Sequence, residues 1–425
     1  MAARERMAAR EGWRRAKKWR EIMAQDPLPA DMPPGWHMDP DTGFWLRDTI
    51  HHMGRRCLKW DYRGTACYLI TLVLRDRSRP LLGKLHGPSF SAIHGGASAP
   101  YIAETKLGQL VGAHFRRIPE FSPEIEVLGV QIMPEHLHGV LRVIHPMEKP
   151  LGEHLRGFKI GTTKFARNLG IMAPPGPSES LRGQGLFADG FVDTILSSDE
   201  AVHKGLAYMA DNPRRLWEKR THPDLFRVVR DLPIRFSLGE KKVVGHFSAI
   251  GNHHLLGAPQ ILQVQCSRQD FEYARDEKTR ALMRERAPVR CTETFCEKAE
   301  ALLAAASHGA VLASPCISHG EKEIARRTYE QGHRVIALCN KGFSPLFKPS
   351  GKLFDSCVQG NLLMLAPAAW EYVPGERNIT RMDACALNRI AQLLSGSGAV
   401  EIQYRGTTLA DVDAYAMEAM RAEFC

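Results

Sequence analysis

The sequence predicts an α+β domain, with helices laid against an antiparallel sheet, followed by an α/β domain. Three observations lead there. Between Tyr62 and Trp217 the apolar pattern alternates between the strand and helix periods in the order β-α-β-β-α-α. Beyond about Val243 strands and helices take turns one for one. A chain of 425 residues, 44% hydrophobic, also exceeds what a single core commonly holds. The divisions expected are a basic arm and linker over 1–60, the α+β domain over 61–235 and the α/β domain over 236–425.

The elements follow in order. The arm holds Arg4, Arg6, Arg10, Arg14, Arg15, Lys17, Lys18 and Arg20 against few acids, with Trp13 and Trp19 interleaved, and reads either as a phosphate-gripping helix or as a solvated one. "DPLPADMPPGWHMDPDTG" is a proline- and glycine-rich linker. "TACYLITLVL" (Thr65 to Leu74) is a strand by composition, and "ETKLGQLVGAHFRRI" (Glu104 to Ile118) spaces Leu107, Leu110, Val111 and Phe115 as one helix face. "EIEVLGVQIM" and "HLHGVLRVI" are strands joined at Pro134-Glu135, since proline lacks the donor a central strand position needs. "LGEHLRGFKIGTTKFARN" is a basic amphipathic helix with Leu151, Leu155, Phe158, Thr162 and Phe165 on one stripe. After a Gly/Pro/Ser-rich loop come "FVDTIL" and then a helix opened by Ser198 or Asp199 and closed by Pro213. In the second half "VVGHFSAIGN", "GAVLAS", "HRVIAL", "NLLMLAP" and "AVEIQY" are strands separated by helices such as "EKAEALLAAASH" and "EKEIARRTYEQG", a doubly wound, Rossmann-like plan.

A net charge of +10 and a pI near 9.1 point toward a polyanionic partner. Ten cysteines include no C-x-x-C pair, which argues for reduced thiols in place of a zinc or disulfide framework. No apolar run reaches membrane-spanning length and the first residues lack the apolar centre of a secretion signal, so a cytoplasmic protein with no membrane partner is expected.

"QIMPEHLHGVLRV" (Gln131 to Val143) carries the sharpest question. With 18 histidines, one H-x-H triplet arises by chance about once. In a strand, however, His136 and His138 project from one face while Leu137, Leu141 and Val143 take the other, and two imidazoles side by side can chelate a divalent cation. A histidine-triad hydrolase would continue the alternation, but Val140 stands there. In "DEAVHKGLAYMADNPRRLW" the residues Ala201, Gly205, Tyr208 and Asn212 share one helix face, opposite Val202, Leu206 and Met209. Tyr208 is then either an outward-reaching phenol or a half-buried packing residue, and Asn212 either a ligand or a helix end before proline.

"MPEHLHGVLRV", "LRGFKIGTTKFARN", "GFVDTIL" and "YMADNPRRLW" occur in the order found in HUH single-tyrosine transposases. The chain most resembles the REP-associated tyrosine transposase branch, over about Tyr62 to Trp217. That resemblance implies that His136 and His138 bind Mg²⁺ or Mn²⁺ with Asn212 as third ligand. It implies that Tyr208 attacks a phosphodiester to give a 5′-phosphotyrosine and a free 3′-hydroxyl, and that the substrate is single-stranded or hairpin DNA. Glu135 departs from the asparagine usual at that place. A phenol with a pKa of about 10 costs roughly 4 kcal/mol to ionise at neutral pH, which the site must offset. The ester keeps the energy of the broken bond, so a second 3′-hydroxyl can reverse the attack without a nucleotide cofactor. Lys159, Lys164, Arg167, Arg214 and Arg215, on the basic helix or beside a motif, are the candidate phosphate contacts.

"AVLASPCISHGEKEIARRTYEQGHRVIAL", with a capping box spaced from Ser318 to Glu321, together with "LCNKGFSPL" and "NITRMDACALNRIA", weakly resembles the Rossmann-like domain of DNA-processing protein A, without its glycine-rich signature. An accessory module binding nucleotide or DNA and a purely structural support both stay open, as does a homodimer. The leading expectation is an enzyme that nicks and rejoins single-stranded DNA. A domesticated, non-catalytic DNA-binding or regulatory protein is the alternative, and Glu135 favours it.

Overall fold

The computed structural model describes residues 36–38, 45–47, 60–87, 99–174, 184–266, 270–272, 290–344, 347–373, 377–396 and 407–424. The basic arm with Trp13 and Trp19, and the expected strand "AVEIQY" at 399–404, lie outside them. Within the expected linker, β1 (Trp36–Met38) pairs antiparallel with β2 (Trp45–Arg47). The chain divides into two compact units, Met1–Glu218 and Lys219–Cys425.

The first unit is α+β, as its changing periods predict. Its antiparallel sheet has the order β6-β7-β3-β8, from β3 (Ala66–Val73), β6 (Ile125–Ile132), β7 (His136–Val143) and β8 (Val192–Leu196). A separate two-stranded ribbon joins β4 (Gly83–His86) to β5 (Tyr101–Glu104). Strand parity divides the side chains between the two faces. Tyr68, Ile70, Leu72, Leu137, Leu141 and Val143 turn to one face, where they meet Leu107, Val111 and Phe115 of α1 (Lys106–Arg116) and Leu151, Leu155 and Phe158 of α3 (Leu151–Asn168). A single turn, α2 (Ile118–Phe121), leads from α1 into β6. Gly139 lies on this face because a β-carbon there would sit 2.3 Å from the Phe115 ring. Cys67, Val140 and Leu196 turn to the opposite face and pack under Val202 and Met209 of α4 (Asp199–Thr221).

α4 corrects two expectations. It continues about two turns beyond Pro213, and the buried residues include Val202, Gly205, Met209, Asn212 and Pro213 together. Proline removes one intrahelical donor, but burial of this stripe against the sheet outweighs that loss, so Pro213 does not end the helix. Gly205 and Asn212 therefore belong to the packed face, and Tyr208 lies at its margin, 45% exposed. At the other end Ser198 acts as the cap, its Oγ accepting from Ala201 N at 3.1 Å.

The second unit is a layered α/β structure. β11 (Ile261–Gln263), β14 (Val311–Ser314), β15 (Val335–Leu338) and β16 (Leu362–Pro367) run parallel in that order, β12 (Phe271–Glu272) and β13 (Arg290–Cys291) forming a separate antiparallel pair; β10 (Lys241–Gly251) adds antiparallel to β16 and forms a hairpin with β9 (Val229–Leu238). The strand at 229–238 thus belongs to this sheet. β14, β15 and β16 are buried throughout, which explains their continuous apolar runs. One face packs on α8 (Arg381–Ser395) and α9 (Leu409–Ala419), the other on α5 (Glu293–Ser307), α6 (His319–Glu330) and α7 (Lys352–Val358). The parallel strands keep chain order, so the reversal that opens a binding crevice in a doubly wound sheet does not occur among the described parallel strands. The expected capping box forms at Ser318 and Glu321. Among the described residues the cysteines are free thiols, and Cys296 is exposed, with its Sγ 3.1 Å from that of Cys291.

Candidate functional site

The β6–β7 hairpin builds the site. Its connection, Met133-Pro134-Glu135, is tied on both sides: Met133 N donates to His136 O, Leu82 N to Pro134 O and Leu74 N to Glu135 O, at 2.9, 3.1 and 2.9 Å. His136 and His138 follow on the face covered by α4. Opposite them on β3 stand Val73 and Thr71, and Gln131 of β6 faces His138 from the other side.

The two imidazoles converge. Their Nε2 atoms are 3.1 Å apart and their planes lie at 83°. His138 is 8% exposed, and its Nδ1 is 2.9 Å from Thr71 Oγ1. With Nδ1–H donated to that hydroxyl, Nε2 of His138 keeps its lone pair directed at His136. Tyr208 completes the group, its ring centroid 6.2 Å from that of His138 and its face under the Arg215 guanidinium at 5.5 Å. One turn further along α4, Asn212 is buried, and its Nδ2 has no hydrogen-bond partner among the described residues.

These residues fit a divalent cation in the chemistry of their donors. Two nitrogens bound at about 2.1 Å and at right angles to each other are separated by roughly 3.0 Å, close to the spacing here, so a cation could replace the proton the rings share. The Asn212 carboxamide is neutral, buried and unbonded at one end, and can present Oδ1 by turning its last torsion. Among the described residues no three His, Cys, Asp or Glu side chains group to hold a metal, so the remaining positions would fall to Asn212, substrate oxygens and water.

The five candidate phosphate contacts differ in availability. Arg214 makes a two-pronged ion pair with Asp211, at 2.7 and 2.9 Å, with both side chains largely buried. Lys159 Nζ donates to the carbonyls of Ala188 and Gly190 and ties α3 to the turn before β8. Lys164 is exposed, Arg215 lies over Tyr208, and Arg167 is half-buried with an Nε that has no partner among the described residues. Sequence reasoning missed Thr71 and Asp211. Only the β3–β7 register reveals Thr71, whereas Asp211 had a readable signal in its three-residue spacing from Arg214.

No family model matches the chain. A curated relative from Haemophilus influenzae, described as an uncharacterized protein, is 24% identical over 139 residues, covering 28% of this chain and 70% of its own. Among solved structures, the REP-associated tyrosine transposase bound to a REP hairpin is similar over 35% of this chain and 66% of that one, at 15% identity and a TM-score of 0.23. At that score the likeness assigns neither fold nor activity, and the reading of the site rests on its own chemistry. Among the described residues no helix is long and apolar enough to cross a membrane.

Proposed function

We propose that the first unit is a divalent-metal-dependent endonuclease and strand transferase of the HUH type, acting on single-stranded or hairpin DNA. One observation carries the reading: the Nε2 atoms of His136 and His138 meet at 3.1 Å on the same sheet face that supports the helix of Tyr208. His136 and His138, with Asn212, would hold Mg²⁺ or Mn²⁺. When bound, the cation supplies charge withdrawal from a non-bridging phosphate oxygen.

The remaining steps belong to the chain's own residues. Thr71 fixes the orientation of the His138 ring, and the packing of Met209 and Val202 seats α4 on the sheet. Tyr208 Oη attacks phosphorus in line. The new Oη–P bond forms as the P–O3′ bond breaks, the phenolic proton passes to water, and the departing 3′-oxygen takes up a proton. The product is a 5′-phosphotyrosine and a 3′-hydroxyl. A second 3′-hydroxyl attacking the ester reverses these bonds and joins strands, so cutting and joining share one site. Arg215, half-exposed over the Tyr208 ring, is the cation beside this path, and the exposed Lys164 and half-buried Arg167 lie on α3, which packs on the other face of the sheet.

The deciding experiment incubates the protein with Mn²⁺ and end-labelled hairpin DNA bearing single-stranded flanks, then separates products under denaturing conditions. A protein–DNA adduct should form with the natural sequence and vanish with Tyr208→Phe, while DNA binding persists. Equal adduct from both proteins would assign the nucleophile elsewhere. A non-catalytic DNA-binding protein is the second reading, and Glu135 favours it because a carboxylate next to His136 opposes approach of a phosphate. Binding without adduct in the natural sequence, and adduct in Glu135→Asn, would select that reading.

A further inference from the structure

Two of the free thiols lie together at the start of α5. Thr292 caps this helix, its Oγ1 accepting from Phe295 N at 3.2 Å, and Cys291 and Cys296 flank the cap at the two positions whose side chains meet across a first helical turn. Their Sγ atoms are 3.1 Å apart; Cys296 is exposed and Cys291 half-buried. The backbone between them is held, with Thr292 N donating to Asp270 O at 3.0 Å and Cys296 N to Thr292 O at 3.1 Å. Cys291 ends β13 opposite Phe271 of β12, and the Phe271 ring lies against that of Phe295 on α5, with centroids 4.6 Å apart. Ribbon and helix are therefore already docked, and small turns of the two side-chain torsions bring the sulfurs to bonding distance, about 2.05 Å.

We propose that Cys291 and Cys296 form a reversible disulfide by exchange with small disulfides and thiols of the glutathione class. The inference is independent of the function assigned to the histidine site. Exposure sets the roles. The Cys296 thiolate attacks one sulfur of the small disulfide, a mixed disulfide forms and the first small thiolate leaves. The Cys291 thiolate then attacks Cys296 Sγ; the bond between the two cysteines forms as the mixed disulfide breaks, and the second small thiolate leaves. Two protein thiols are oxidised, one small disulfide is reduced to two thiols, and the protons given up by the cysteines end on the departing thiolates. Deeper thiols do not compete, because burial pushes Cys266, Cys339 and Cys357 up to about 12 and Cys316 up to about 11. The hydrogen bond with Cys291 also raises the Cys296 pKa, so thiolate is scarce at neutral pH and the exchange is slow. Such a pair follows the poise of the surrounding thiol pool and is not a rapid peroxide sensor. Once formed, the bond clamps the β12–β13 ribbon to the first turn of α5.

The test equilibrates the full chain, with a metal chelator and without air, in buffers of graded reduced-to-oxidised glutathione ratio. After an acid quench, free thiols are blocked in denaturant, disulfides are reduced and labelled with a second reagent, and each cysteine is read by peptide mass spectrometry. Cys291 and Cys296 should change label together, at one midpoint, with the intact protein lighter by two hydrogens. The folded chain should reach that midpoint at a ratio at least about tenfold more reducing than the same chain in urea, because the fold holds the sulfurs in contact. Cys291→Ser should stop at a glutathione adduct on Cys296, and Cys296→Ser should leave Cys291 largely unmodified. The proposal falls if the two cysteines of the natural protein oxidise at different midpoints, if the glutathione adduct on Cys296 accumulates there as it does in Cys291→Ser, or if folding leaves the midpoint unchanged.

Discussion

Two regions, the helix caps of the second unit and the neighbourhood of the histidine pair in the first, treat their buried polar groups in opposite ways. In the second unit, Glu321 and Asp383 are almost wholly buried, yet each is consumed by the turn it caps. The Glu321 carboxylate accepts from Ile317 N and Ser318 N at 2.9 Å each, and Asp383 accepts from Thr380 N, Tyr415 Oη and Arg377 at 3.0, 2.8 and 3.2 Å. In the first unit, Asn212 Nδ2 is buried and unbonded among the described residues, and two imidazole nitrogens face each other. An unmet buried group costs about 1–3 kcal/mol, so a fold keeps one where something else, such as a ligand, supplies the bond. His253 Nε2 and Ser356 Oγ of the second unit are unmatched too, so an unmet group marks a place for a guest only where other donors converge on it, as the two imidazoles do beside Asn212.

The contrast can be broken by substitutions that separate stability from activity. The largest effect is expected from His138→Ala: adduct formation should fall by more than about 10³-fold, while urea unfolding changes by only about 1–2 kcal/mol for the lost Thr71 bond and packing. Comparable losses in both measurements would mean that the histidine is scaffold. Next comes Gly108→Ala, where the new β-carbon would lie 1.9 Å from the Leu82 carbonyl oxygen. Backbone must shift there, and a loss of about 3 kcal/mol in denaturant titration is expected.

Asp383→Asn should cost about 2 kcal/mol at neutral pH and leave nicking within about twofold. Its pH dependence sharpens the point. Burial alone would raise the Asp383 pKa, but hydrogen bonds from Thr380 and Tyr415 and the charge of Arg377 bring it below the usual aspartate value. The stabilisation is therefore present above about pH 3.9 and is lost as pH falls through the lower folded value, so the natural protein and Asp383→Asn should converge in acid. Glu321 has the opposite sign. Burial pushes its carboxyl up despite the bonds from Ser318 and Ile317, so its contribution is greatest at low pH and declines as pH rises through the raised folded value. The smallest effect is expected from Thr71→Val, which keeps shape and removes the hydroxyl at His138 Nδ1; Mn²⁺ affinity by isothermal titration should fall about tenfold, with stability little changed.

Much of this organisation is legible in sequence because local periods carry it. The shared face of His136 and His138 follows from strand alternation, and the helix from Leu151 to Asn168 has the bounds its stripe predicts. Pro213 misleads because a local rule about one missing donor competes with burial of a long stripe, which no short window weighs. Thr71 cannot be read at all, since its role depends on register with a strand more than sixty residues away.

Gly129 makes room beneath the tyrosine helix. A β-carbon at that position of β6 would come within 2.7 Å of Met209 Cε and 3.0 Å of Leu206 on α4. The bare backbone therefore gives the tips of Met209 and Leu206 room to lie flat beneath the tyrosine helix, and one added methyl would make those two flexible tips turn aside before the helix itself had to move.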